Sequence, residues 1–107
     1  MDWENDYRRK RMTAGQALDL IESGERVVVG HACGEPSYLL DVLVSKADQY
    51  ENVELVHMIA MGKAGYAQPG MEKHFRHNSF FVGTTTRKAV AEGRADFTPC
   101  FFYRILI

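Results

Sequence analysis

The stretch "VVVGHACGEP", residues 27 to 36, constrains the fold more than any other part of the sequence. Its three valines are β-branched and apolar, which predicts a short buried strand over residues 26 to 30. Gly30 and Gly34 then make a loop, and Pro36 suits the first turn of a helix because the N–H that proline lacks is not needed there. A buried strand that passes through a glycine loop into a helix is typical of a parallel α/β sheet.

The rest of the chain continues this alternation. "TAGQALDLIESG" has apolar residues at helical spacing, a cap at Thr13 and a glycine stop at Gly24. Further helices are predicted over 36–50 and 84–93, and further strands over 52–59, 79–83 and from 94 onward. The expected fold class is therefore α/β, with a mainly parallel sheet and flanking helices. Between the second and third strands lies a long connection, which is typical of a functional or mobile loop.

The charge balance excludes several classes of partner. The chain has 13 Lys and Arg against 14 Asp and Glu, a net charge of -1, so we expect no nucleic-acid partner. The short basic run at 8–11 is predicted to be a solvated helix face. No run approaches the roughly 18 apolar residues of a membrane span, so we expect no membrane partner. The acidic start, with Asp2, Glu4 and Asp6, is unlike a signal peptide and predicts a cytoplasmic protein.

The loop after the first strand holds the first candidates for chemistry. His31 and Cys33 suggest a Cys–His pair or two metal ligands, but their spacing in an extended segment points them to opposite faces. A turn residue and a small buried thiol are the favoured interpretation, and no metal site is predicted. Cys33 and Cys100 are too far apart for a paired motif and are expected to be free thiols. Glu35 is either a nucleophile or general base or, as we favour, a carboxylate held by backbone amides at a helix start.

Two other segments carry weaker signals. His74 and His77 flank Arg76 at i, i+3 spacing, but no HExxH motif is present, so a surface or loop position is expected. Arg76 is a candidate contact for an anionic group if this segment folds over a ligand. Met58 and Met61 fall near the long connection, where methionine either fills a core or lines an apolar ligand pocket.

Several motifs in the same order carry a resemblance to a known family: "RVVVGHACGEP", "NVELVHMIAMGKAGY", "PGMEKHFRHNSFFVG" and "TRKAVAEGRADFTPCFF". The chain resembles the N-terminal part of 4-hydroxybutyrate CoA-transferases, within the acetyl-CoA hydrolase/transferase family. The resemblance implies a class I CoA-transferase, in which a Glu carboxylate attacks an acyl-CoA and passes through a mixed anhydride and a glutamyl-CoA thioester. That Glu belongs to the C-terminal domain of the family, so no catalytic residue is expected in this chain.

The resemblance also implies which residues face substrate. The loops after the first two strands would form one wall of the acyl pocket: His31, Cys33, Gly34, Glu35, Pro36, Met58, Met61 and Gly62. Coenzyme A would enter as a substrate, short carboxylic acids would be its acceptors, and no other cofactor is expected. The full-length protein is expected to be a homo-oligomer.

The end of the sequence departs from the family. The relatives continue beyond "TPCFF", whereas here the apolar run "YRILI" follows and the sequence stops. Residues 1–107 are therefore expected to be a truncated N-terminal part of the family's first domain, inactive alone and lacking its C-terminal partner domain. Two alternatives stay open: a hydrolase of the same family, with water as acceptor, and a non-catalytic α/β binding or assembly module.

Overall fold

The protein is described by a computed structural model that covers residues 1–105. Four parallel strands form one sheet in the order β1-β2-β3-β4, so the predicted α/β class with a parallel sheet is confirmed. The strands are β1 (Arg26–Val29), β2 (Val53–His57), β3 (Phe75–Ser79) and β4 (Ala95–Phe97). The helices are α1 (Trp3–Lys10), α2 (Ala14–Leu18), α3 (Ser37–Ser45) and α4 (Arg87–Ala91).

The core lies on one face of this sheet. Each strand pairs with its neighbour in the chain, and right-handed crossovers then place every connection on the same side. Leu55 and Phe75 point into this side and are buried, where they join a single cluster with Leu43 of α3 and Ala89 of α4. The opposite face carries Val28, which is 78% exposed. The sheet is therefore packed on one face and largely open on the other.

The first predicted helix begins where expected and ends early. The Thr13 hydroxyl accepts the N–H of Gln16 and the Gln16 side chain accepts the N–H of Thr13, which together make a capping box. Helix α2 stops at Leu18 rather than near Gly24. The Gly24 N–H donates to the carbonyl of Glu51 at 3.0 Å, which holds this segment beside the start of β2. Ahead of it, the basic run at 8–10 does lie on an exposed helix, α1, as predicted.

The third strand was predicted in the wrong place. It was expected over 79–83, whereas β3 spans Phe75–Ser79. Its inward side chains are Phe75, His77 and Ser79, each 1% exposed or less, and two of them are polar. The predicted surface or loop position is therefore wrong for His77, whereas His74 does lie in the turn that precedes β3. Hydrophobicity favoured the following residues 80–83, which in fact leave the sheet at its carboxyl edge.

The remaining elements agree with the prediction more closely. Helix α3 begins directly after Pro36 and a 3-10 turn over Ala47–Gln49 extends it toward β2. Gly93 adopts a φ of 74° after α4, the left-handed conformation of a helix stop, and β4 follows as predicted. Across residues 1–105, no helix combines the length and hydropathy that a membrane crossing requires.

Candidate functional site

The carboxyl ends of the strands meet at one edge of the sheet. Val29, His57 and Ser79 are aligned in register as the last residues of β1, β2 and β3. The segments that follow them, residues 30–36 and 58–62 among them, are consequently neighbours. Ligands of parallel α/β sheets bind beyond this edge, which makes it the candidate site.

The loop after β1 is tightly folded. A Cβ at Gly30 would lie 2.7 Å from the carbonyl oxygen of Gly34, so only glycine allows the backbone to close this turn. Ala32 adopts a left-handed φ of 51°, and its N–H donates to the carbonyl of Ile59 in the next loop, at 3.3 Å. Cys33 is exposed in the 3-10 turn that follows, so the predicted burial of its thiol is wrong.

Glu35 joins the two loops. Its Oε2 accepts the backbone N–H of Met61 at 2.7 Å and that of Gly62 at 2.9 Å. A Cβ at Gly62 would lie 2.5 Å from Glu35 Oε1, so the glycine is what lets the carboxylate approach. Backbone amides do hold this carboxylate, as the favoured interpretation proposed, but they belong to the loop after β2 and not to helix α3.

A buried histidine supports both loops from below. His57 is 1% exposed; its Nε2 lies 2.9 Å from the carbonyl oxygen of Gly30 and its Nδ1 lies 3.1 Å from the hydroxyl of Tyr66. Burial lowers the pKa of His57, so the ring is neutral at pH 7 and donates from Nε2, because a carbonyl only accepts. Tyr66 then donates its hydroxyl to Nδ1. Burial, with a smaller contribution from the charge of Glu35, raises the pKa of Tyr66 and keeps that proton in place.

A second buried histidine, His77, lies on β3, where it pairs with Leu55 of β2 in the sheet register. His77 is 1% exposed, and its ring centroid is 5.2 Å from that of Tyr66 and 6.2 Å from that of His57. Among the described residues, neither ring nitrogen of His77 has a hydrogen-bond partner. Burial, reinforced by the neighbouring His57, lowers the pKa of His77 to about 4. The ring is therefore a neutral part of the core.

Two surface pockets lie beside the loops that follow β1 and β2. A cleft of about 140 Å³ with polar and apolar lining lies between the start of α3 and the loop after β2, and Glu35, Gly62 and Tyr66 are among its lining residues. An apolar groove of about 280 Å³ lies on the open face of the sheet, where His31 and Met58 are among its lining residues. The candidate site thus offers amide and carboxylate groups on one side and apolar surface on the other.

Arg76 is not part of this arrangement. It pairs with Glu54 of β2 in the register of the sheet, away from the carboxyl edge. Its guanidinium binds both carboxylate oxygens of Asp96, at 2.8 and 2.6 Å, and the carbonyl oxygen of Gly93 at 3.0 Å. The structure therefore does not bring Arg76 together with the other predicted residues.

The other predicted residues do gather at the carboxyl edge. Residues 31–36 follow β1, and Met58, Met61 and Gly62 follow β2; contact of these residues with substrate stays a prediction. Within residues 1–105, no three His, Cys, Asp or Glu side chains lie close enough together to hold a metal ion. The buried pair of His57 and Tyr66 was missed. Strand alternation could have found the histidine, because His57 has the same parity as the core residues Val53 and Leu55.

Parallel strands with helices packed on one face define a parallel α/β domain, and in this class ligands bind beyond the carboxyl edge of the sheet. The chain belongs to the acetyl-CoA hydrolase/transferase family: the profile of the acetyl-CoA hydrolase/transferase N-terminal domain matches residues 1–105. The family resemblance drawn from the sequence motifs is thereby confirmed.

Known relatives agree with this assignment. The 4-hydroxybutyrate coenzyme A transferase of Clostridium kluyveri is 53% identical over 105 residues, which are 98% of this chain and 24% of that protein. The succinyl-CoA:acetate/propanoyl-CoA:succinate CoA transferase of Fasciola hepatica is 32% identical over 84% of this chain and 19% of that protein. The crystal structure of RipA from Yersinia pestis has a TM-score of 0.85 at 20% identity, over 98% of this chain and 27% of that one, and supports the fold. The chain thus spans about a quarter of the length of these relatives.

Proposed function

We propose that this chain is the substrate-facing N-terminal part of a CoA-transferase. The parent protein would move CoA between acetyl-CoA or butyryl-CoA and 4-hydroxybutyrate or a similar short carboxylic acid. The observation that carries the proposal is the 53% identity, along nearly the whole chain, to a 4-hydroxybutyrate coenzyme A transferase. Four relatives are each named as a CoA transferase, although the carboxylic acids in their names differ.

The proposed reaction exchanges CoA between two acids through a carboxylate nucleophile outside this chain. A Glu carboxylate attacks the thioester carbonyl and expels CoA thiolate, which leaves an acyl-glutamyl anhydride. The thiolate then attacks the glutamyl carbonyl of the anhydride, which releases the first acid and leaves a glutamyl-CoA thioester. The second acid repeats these steps in reverse and departs as the new acyl-CoA. This covalent route divides one difficult exchange into easier steps.

The part of this chain in that reaction is to hold the acyl group and the acid. The apolar groove beside His31 and Met58 suits the carbon chain of a short acyl group. The cleft beside Glu35 and Gly62 brings a carboxylate and the two backbone N–H groups that it accepts to the edge of the sheet. Coenzyme A enters as a substrate, no other cofactor is required, and the protein acts in the cytoplasm as a homo-oligomer.

The proposal is tested with the full-length parent protein. We expect it to exchange CoA between butyryl-CoA and acetate, and between acetyl-CoA and 4-hydroxybutyrate, as followed by chromatography of the acyl-CoA species. The matched control is the 107-residue chain, which we expect to be inactive because it lacks the nucleophile. A parent without exchange activity would refute the proposal. Thioester turnover by the short chain would refute the location of the nucleophile and indicate an activity of its own.

A hydrolase is the second candidate, because the matched domain is shared by acetyl-CoA hydrolases and transferases. In a hydrolase, water takes the place of the acceptor acid. The two are separated by measuring free CoA with a thiol reagent in the absence of any acceptor carboxylate. A transferase releases at most one equivalent of CoA per site under these conditions, whereas a hydrolase continues. A parent with neither activity would indicate the non-catalytic α/β module.

A further inference from the structure

We propose that the backbone N–H groups of Met61 and Gly62 form a carboxylate-binding site, which Glu35 occupies and from which the carboxylate of an acid displaces it. The identity of that acid rests on the proposed function, since a CoA-transferase must receive a free carboxylate. The existence of the site rests only on the geometry of this chain.

The donor geometry is that of an anion site. Two consecutive N–H groups converge on one oxygen, Glu35 Oε2, at 2.7 and 2.9 Å. Successive backbone amides that point to one spot form a concave site for anions, and hydrogen bonds to a charged acceptor are stronger than those between neutral groups. The carboxylate of Glu35 stands here for the carboxylate of a ligand.

The surroundings admit a small ligand. Gly62 has no Cβ, and a Cβ there would lie 2.5 Å from Glu35 Oε1, so glycine at this position leaves room for a carboxylate in the pose that Glu35 takes. The adjoining cleft of about 140 Å³ is lined by both residues and also by Ser37, Asp41 and Lys63. The Nζ of Lys63 lies 3.2 Å from Asp41 Oδ2, so the two charges balance each other at the cleft and the backbone N–H groups remain the donors for an anion.

Displacement follows from charge and from competition. Two carboxylates cannot share one pair of donors, because like charges at that separation repel. A side chain already attached to the site competes with an effective concentration in the millimolar range or above, so a free acid binds the wild-type chain weakly. Removing the Glu35 carboxylate removes both the competitor and the repulsion, and the affinity for small carboxylates rises.

The test is an acetate titration of the ¹⁵N-labelled 107-residue chain, monitored through its amide resonances. In Glu35→Ala, we expect the Met61 and Gly62 amide signals to lose their downfield shift and to regain it as acetate is added. The apparent affinity should be at least tenfold tighter than in wild type. Acetamide, which has the same shape without the charge, should have no such effect, and sodium chloride at equal ionic strength corrects for salt. A repeat with 4-hydroxybutyrate tests the longer acid.

A matched control and a second variant keep the outcome decisive. Glu72 also accepts a loop N–H, that of Gly70 at 2.8 Å, but it holds a single donor, so Glu72→Ala should create no saturable acetate site. If Glu35→Ala does not fold, Glu35→Gln replaces it in the titration, because its neutral side-chain oxygen stays near the amides. Acetate should bind to Glu35→Gln more tightly than to the wild-type chain. Folded Glu35 variants without a saturable response at Met61 and Gly62 would overturn the proposal. The outcome is independent of CoA exchange, so acetate binding here with no exchange by the parent would refute the proposed function alone.

Discussion

The neutral, unpartnered ring of His77 predicts a specific loss of stability in mild acid. The folded ring has a pKa of about 4, whereas an unfolded histidine titrates near 6.5. Between these values the unfolded chain binds a proton that the folded chain refuses. Within this range, each unit by which the pH falls therefore lowers the free energy of unfolding by about 1.4 kcal/mol through His77 alone. Well above pH 6.5, His77 does not change the free energy of unfolding through protonation. At pH 5, it lowers the free energy of unfolding by about 2 kcal/mol.

The perturbation is His77→Leu, measured by urea denaturation at several pH values from 7.5 to 5. Neither ring nitrogen has a partner among the described residues, so the substitution breaks no hydrogen bond there. Because a buried unpaired polar group costs about 1–3 kcal/mol, we expect the variant to be at least as stable as wild type at pH 7.5. We also expect its stability advantage to grow by about 2 kcal/mol on going from pH 6.5 to 5.

The comparison reports the titration of His77 together with its coupling to His57, because the two ring centroids lie only 6.2 Å apart. His57 also has a lowered pKa and destabilises the fold in acid in both proteins. Parallel stability curves for wild type and His77→Leu would refute the reasoning, because they would mean that the folded chain protonates His77 as readily as the unfolded one.

Three further predictions concern single contacts. Gly62→Ala should lower the free energy of unfolding by about 1 kcal/mol, because the Glu35 carboxylate must turn aside and weaken its hydrogen bonds to the amides of Met61 and Gly62, and the loss should be smaller in a Glu35→Ala background; additive losses in the double-mutant cycle would contradict the contact. Thr13→Ala should cost about 1 kcal/mol in urea denaturation because the cap of α2 is lost, and Thr13→Ser, which keeps the hydroxyl, is its control. Arg76→Gln should change stability by less than about 1 kcal/mol, since the pair with Asp96 is substantially exposed. The same substitution should raise the pKa of Asp96, which hydrogen bonds from Arg76 hold below its ordinary range, and an unchanged carboxyl titration by NMR would contradict this.

The sequence was informative wherever hydrophobicity and burial coincide. Strands β1 and β2 are built from valine and leucine, and α3 carries its apolar residues at helical spacing, so each was predicted close to its place. Strand β3 was misplaced because its inward positions include His77 and Ser79, which a polarity pattern assigns to the surface. Tertiary packing overrides the pattern there, since Leu55 and Ala95 flank His77 in the sheet register.

The candidate site, too, could be predicted from the sequence only in part. The order of the predicted elements placed one loop after each of the first two strands, and the family resemblance predicted that both loops face substrate. The contact of Glu35 with the amides of Met61 and Gly62 could not be predicted, because it depends on how two loops separated by more than twenty residues settle against each other. Local propensity carries no information about such a distance.

The closeness of Glu35 and Gly62 also restricts how this chain can evolve. Any side chain at position 62 meets the carboxylate of residue 35 in its present pose, so a substitution there forces that carboxylate to turn aside and to weaken its hydrogen bonds to the loop. The order of mutations matters as a result: loss of the glutamate opens the path to other residues at 62, whereas loss of the glycine first passes through a clash. Positions 35 and 62 are therefore expected to covary among descendants of this sequence, as a pair that changes together while the sheet beneath them stays the same.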